Sequence, residues 1–143
     1  MEYKRHPENL FNHLLSIIFI YPMIAPLLVL DFFLEIYHNI AFRLYGLPLV
    51  DRSKYVRIDR HRLPYLGPVA KLNCLYCGYA NGLLAYAVKV AGETEVYWCG
   101  IKHKSGNGYI EPKHHEDFLA YGDEVAYRQL GKEKVCKLSK EKI

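Results

Sequence analysis

The amino-acid sequence predicts an α+β fold: an N-terminal membrane helical hairpin, re-entrant or monotopic, followed by a small metal-stapled domain. Three observations predict it. Residues 14–30, LLSIIFIYPMIAPLLVL, carry no charge yet are interrupted by Pro22 and Pro26. From Asp51 onward the chain turns polar, basic and rich in turn residues. Finally, Cys74, Cys77, Cys99 and His103 fall in two pairs, NCLYCG and YWCGIKH, with the spacing of a Cys3His metal set.

The chain has 143 residues, 51% of them hydrophobic and 24% charged, an ordinary average that conceals the asymmetry between its two parts. It divides into an apolar anchor (1–50), a Cys/His domain (51–130) and a basic tail (131–143). If the anchor belongs to a membrane, the remaining domain is small enough to need a staple such as a metal ion or a disulfide. Four cysteines and no small-residue cleavage site after the apolar run point to a reducing, cytosol-facing compartment, where closely spaced thiols bind metal more often than they crosslink.

The charge-free run of seventeen residues lies at the short end of what spans a bilayer. Each proline removes a backbone donor and clashes with the preceding turn. The reading is therefore a hairpin: a helix over about 10–21, a turn at PMIAP and a second helix over about 27–45. A kinked single span and a buried soluble hairpin are the alternatives. In the second helix Asp31, Glu35, His38 and Phe42 recur at spacings of four, three and four, and the first three form a polar stripe. Such a stripe suits a helix lying in the interface. Lys4 and Arg5 before the run, and Arg43 to Arg62 after it, place both flanks on one side, the cytoplasmic face of a bacterial inner membrane.

Further on, Gly46 and Pro48 end the anchor, YVRID (55–59) alternates like a strand, and LPYLGP (63–68) reads as a turn. Tyr79, Leu83, Tyr86 and Val90 recur at helical spacing, with Gly92 as a stop. EVYWC (95–99) reads as a strand and KSGNGYIEP as a loop. KHHEDFLAYGDEVAYRQLG reads as one or two short helices, with Asp123 as an N-cap.

At the cysteine site, a CxxC turn closed by Gly78 lets two thiolates converge, and CGIKH brings a thiolate and an imidazole from a strand end. Zinc is the leading ion, with iron or an iron–sulfur cluster as the alternative, and a redox dithiol at CLYC a further one. The bland reading is small buried cysteines without a ligand. His114 or His115, beside Glu116 and Asp117, can replace His103 as fourth donor, and Cys136 reads as a free thiol. A c-type haem site is excluded because Gly78 stands where the histidine belongs.

Other constellations are thinner. Glu35 and His38 form half of a carboxylate-bridged di-iron motif, which only a homodimer would complete. Asp59 and His61 offer a catalytic pair in RIDRHR, a common dipeptide pattern. No catalytic residue is assigned, because no phosphate-cradling loop or nucleophile elbow can be read. The net charge is +4, and the basic clusters at 51–62 and 131–143 suit an anionic membrane surface. They lack the recognition elements of a nucleic-acid binder.

The segment from Tyr37 to His103, through HNIAFRLYGLPLVDRSKYVRIDRHRL, NCLYCGYANG and YWCGIKH, resembles a small bacterial family of membrane-associated proteins, over about half of the chain. The resemblance implies a bacterial membrane protein and no particular activity. The proline-broken anchor is also similar to that of enzymes that attach phospho-sugars to lipid carriers, without their acidic pair. The expected function is a non-catalytic accessory or interaction module, bound to membrane lipids or a membrane protein complex. The rivals are an electron-transfer or thiol-redox protein, and a lipid-modifying enzyme working through Asp31, Glu35, His38 or His61.

Overall fold

In a computed structural model, residues 6–130 are described, and their secondary structure is helical. Helix α1 (Leu10–Ile20) passes through a 3-10 turn (Tyr21–Met23) into α2 (Ile24–Tyr45). Ile20, Met23 and Ile24 all keep right-handed helical dihedrals, so the backbone does not reverse at PMIAP. Pro22 lies in the first positions of the 3-10 turn and Pro26 in the first turn of α2. Each removes one N–H from the helical ladder, and the run tightens to 3-10 geometry there without reversing. The expected hairpin, re-entrant or monotopic, is thereby corrected to a single helical run.

The α+β class is corrected as well. Among the described residues there is no strand, only one isolated parallel bridge between Ile101 and Leu119. YVRID is irregular after a turn at Tyr55, and EVYW forms the last turn of a long helix, α3 (Pro68–Trp98), with Cys99 just after it. Pro68 opens α3, where its fixed φ favours the helix. The helix runs on through Gly78, Gly82 and Gly92. It stops where the N–H groups of Cys99 and Gly100 both reach the Glu95 carbonyl (2.8 and 3.2 Å) and Gly100 turns left-handed at φ 58°.

Two compact units divide the chain, Met1–Val90 and Ala91–Ile143. In the first unit, α2 and α3 run parallel. Tyr21 donates to Asn73 Oδ1 (2.6 Å), Tyr79 to Asp31 (2.8 Å), and Tyr86 meets His38 Nδ1 (2.8 Å), so partners advance together along both helices. Phe42, Leu83, Tyr86 and Val90 are closed off from solvent between them, with Leu27 and Ala80 alongside. Each such side chain contributes roughly 1.5–3 kcal/mol by its removal from water.

Parallel helices need a return segment, and 46–67 supplies it. Gly46, left-handed at φ 70°, caps α2, and the Leu47 amide bonds back to Phe42. Val50 then reaches His38, and Tyr55 to Arg57 pass over α3 at its glycines. A Cβ on Gly82 would stand 2.7 Å from the Tyr55 carbonyl oxygen and from Val56 Cα, and one on Gly78 3.0 Å from the Arg57 oxygen. The glycines of CGYANG are thus a landing strip for backbone, four residues apart on one helix face.

In the second unit, the Lys102 amide donates to the Leu119 carbonyl (2.8 Å) and the Leu119 amide to Gly100 (2.9 Å). Asp123 Oδ1 accepts from the Ala126 amide (2.9 Å) and caps the helical stretch 124–130, as its sequence position predicts.

An exposed helical Gly→Ala change stabilises by up to about 1 kcal/mol. Gly82→Ala is expected to destabilise the full chain by about 1–3 kcal/mol instead, because rigid backbone occupies the site. Thermal unfolding in detergent checks this, with Gly67→Ala as the control, since a Cβ there meets nothing within 4 Å.

Candidate functional site

Helix α3 continues past Gly92 and so presents Glu95 from its last turns. Pro112 is extended, and the 3-10 turn after it, Lys113–His115, carries two successive imidazoles. These elements meet within the second unit. His114 Nε2 lies 2.8 Å from Glu95 Oε2, and His115 Nε2 lies 3.2 Å from Glu95 Oε1. Glu95, His114 and His115 form one group whose donor atoms all fall within 4.8 Å of one another, the geometry of a group able to hold a metal ion. The imidazole of His114 first, and then that of His115, holds the Glu95 carboxyl below its ordinary range.

His115 is fully buried, its ring stacked on Phe118 at 4.5 Å. Among the described residues neither of its nitrogens has a hydrogen-bond partner; Nε2 approaches Glu95 without the direction of a hydrogen bond. His103, expected as a ligand, is drawn to the same place: its Nε2 is 3.9 Å from Glu95 Oε1 and its ring 5.7 Å from that of His115. Gly92 makes room here too, since a Cβ would stand 3.2 Å from His114 Nδ1. Reading Gly92 as a helix stop concealed Glu95.

The cysteine knuckle is corrected by the same helix. Cys74 and Cys77 sit one turn apart on α3, and Cys99 directly follows its last residue. The turn expected to aim Cys74 and Cys77 at an ion shared with Cys99 and His103 is helix instead, and the donors gathered in the second unit are Glu95, His114 and His115. All three cysteines are free thiols. Cys136 lies outside the described residues.

The polar stripe of α2 has a different role from the one expected of it. Arg52, on a 3-10 turn (Arg52–Lys54) capped by the Asp51 carboxylate, extends its guanidinium to the stripe. It forms a bidentate pair with Asp31, one arm of which is Nη2 to Oδ2 at 2.8 Å, and donates to Glu35 Oε1 at 2.6 Å. Tyr79 donates to the same Asp31, and burial followed by that carboxylate pushes its hydroxyl up to about 12. His38 is buried, and the Val50 amide donates to its Nε2 (2.9 Å). In the neutral ring the proton is then on Nδ1, facing the Tyr86 oxygen. The Tyr86 hydroxyl is likewise pushed up to about 12, by burial and then by the charge of Glu35. Asp59 and His61 flank or lie on another 3-10 turn (Arg60–Arg62), with Asp59 exposed and making no cap.

No family model, curated protein or solved structure matches the chain. The functional reading accordingly rests on the residues themselves.

Removing the cation of this network leaves two carboxylates on an apolar helix. Arg52→Met is expected to cost about 2 kcal/mol, below the range for fully buried pairs. The discount reflects an Arg52 side chain that is 34% exposed. The triple change Arg52→Met, Asp31→Asn, Glu35→Gln should recover part of the loss. Melting temperatures of the two proteins in detergent check both expectations.

Proposed function

We propose that the protein is a membrane-anchored accessory protein, held in lipid by α1 and the first part of α2. The observation that supports this is the helical run Phe11–Tyr45, long and apolar enough to cross a membrane, of whose most apolar window only 6% is buried against the rest of the protein. Phe11, Ile18, Phe19, Leu28, Val29 and Phe32 all face outward. In water such a surface is costly, and lipid removes the cost.

The length agrees with the proposal. Residues 11–30 contain no Asp, Glu, Lys or Arg. As a helix these twenty residues extend about 30 Å, the thickness of the hydrocarbon layer. Asp31 and Glu35, bridged by Arg52, then stand where the helix leaves the hydrocarbon. Lys54, Arg57, Arg60 and Arg62 in the return segment are exposed and available to anionic headgroups. Their charge favours the cytoplasmic side for that segment, and the motif resemblance favours a bacterial inner membrane. In this reading the anchor concentrates the two units at the membrane, where they serve other membrane components rather than carry out a reaction.

The wild-type chain should float with phospholipid vesicles and stay with them through high-salt and alkaline carbonate washes. Phe19→Arg combined with Leu28→Arg, at roughly 2.5–3.5 kcal/mol per charge near the helix centre, should move it to the aqueous fraction. Recovery of the wild-type protein in the aqueous fraction after the salt wash would overturn the proposal.

A further inference from the structure

We infer that Glu95, His114 and His115 bind one divalent first-row transition ion, zinc being the best match to the donors. The inference concerns the second unit alone and is independent of membrane anchoring.

The donor spacing is the first argument. Ligand atoms about 2.0–2.1 Å from a tetrahedral ion stand roughly 3.3 Å from one another. The two imidazole–carboxylate separations are 2.8 and 3.2 Å, and all three donors lie within 4.8 Å. The two separations run to different oxygens of the carboxylate, so side-chain rotation on the order of an ångström brings the three donors round one ion, with no change of fold.

The second argument is the state of His115. A buried polar group without a hydrogen bond costs free energy, on the order of 1–3 kcal/mol. His115 is fully enclosed and its Nε2 points toward Glu95 without hydrogen bonding to it. Two imidazoles around one carboxylate can instead each direct a lone pair at a shared cation, with the carboxylate supplying the charge. Two His nitrogens and a Glu oxygen are the three-ligand set that zinc takes when a fourth position stays available, and Fe(II) also accepts it. His103 is within side-chain reach of that fourth position.

The third argument is need. Among the described residues of the second unit, Gly92, His115 and Phe118 are the buried ones. So small a core is where a bound ion contributes most to folding. The ion would fasten the last turns of α3 to the 3-10 turn at 113–115, next to a helix glycine that leaves space for His114.

The experiment uses the full chain, purified in detergent without chelator or metal-affinity resin. Elemental analysis should find about one zinc per chain, and the ion-depleted protein should take up about one Co(II) with visible bands but no thiolate charge-transfer band. Glu95→Gln and His114→Gln, at partly exposed positions that tolerate the change, should each weaken Co(II) binding at least tenfold. The Cys74→Ser, Cys77→Ser protein should bind as the wild type does. Three results would each overturn the inference: substoichiometric binding by the wild type, unchanged affinity in both Gln variants, or a thiolate band that disappears with the two cysteines.

Discussion

The first unit depends on one guanidinium. Two carboxylates on a helix as apolar as α2 would be intolerable next to Tyr79 and Tyr86 without a cation among them. Arg52 supplies it, gripping Asp31 with both nitrogens and reaching Glu35 with one. Because Arg52 belongs to the return segment, the same contact pins that segment against α2 near its start. The glycine face of α3 receives the segment a few residues later. A parallel helix pair cannot be closed by a tight turn, so the connection has to be held along its length. Val50 at His38, Arg52 at Asp31 and Tyr55 at Gly82 are the successive fixings.

This arrangement changes the meaning of the polar stripe on α2. Asp31, Glu35 and His38 are not an edge turned to headgroups but the inner face of a helix pair. His38 shows the difference most plainly: both of its nitrogens are engaged, one by a backbone amide and the other by Tyr86. The outward face is left to Phe32, Phe33, Ile36 and Ile40. Charged groups inside and apolar side chains outside invert the usual order of a helix in water.

Much of the helix content could be read directly. Gly46 ends α2 where the sequence places the end, the face formed by Tyr79, Leu83, Tyr86 and Val90 turns inward, and Asp123 caps its helix. The failures share one cause, the reading of glycine and proline as punctuation. Pro22 and Pro26 lie in backbone that stays helical past both, so no reversal follows. Gly78, Gly82 and Gly92 are helical residues whose missing side chains leave room for Tyr55, Arg57 and His114 from elsewhere in the chain. CLYCG is helix rather than knuckle. Glu95, hidden in a supposed strand, becomes the carboxylate between two histidines.

Local pattern alone determined where apolar surface would lie, how long the N-terminal run would be and which face of α3 would be buried. Those features follow from side-chain chemistry repeated at the helical period, which neighbours in sequence suffice to express. Tertiary structure alone decided that the glycines face backbone and that Arg52 answers Asp31. It also decided that His114 and His115, not the cysteine pairs, gather around a carboxylate. Each of these is a meeting of residues nineteen or more positions apart. No spacing within a short motif records which distant segment will arrive.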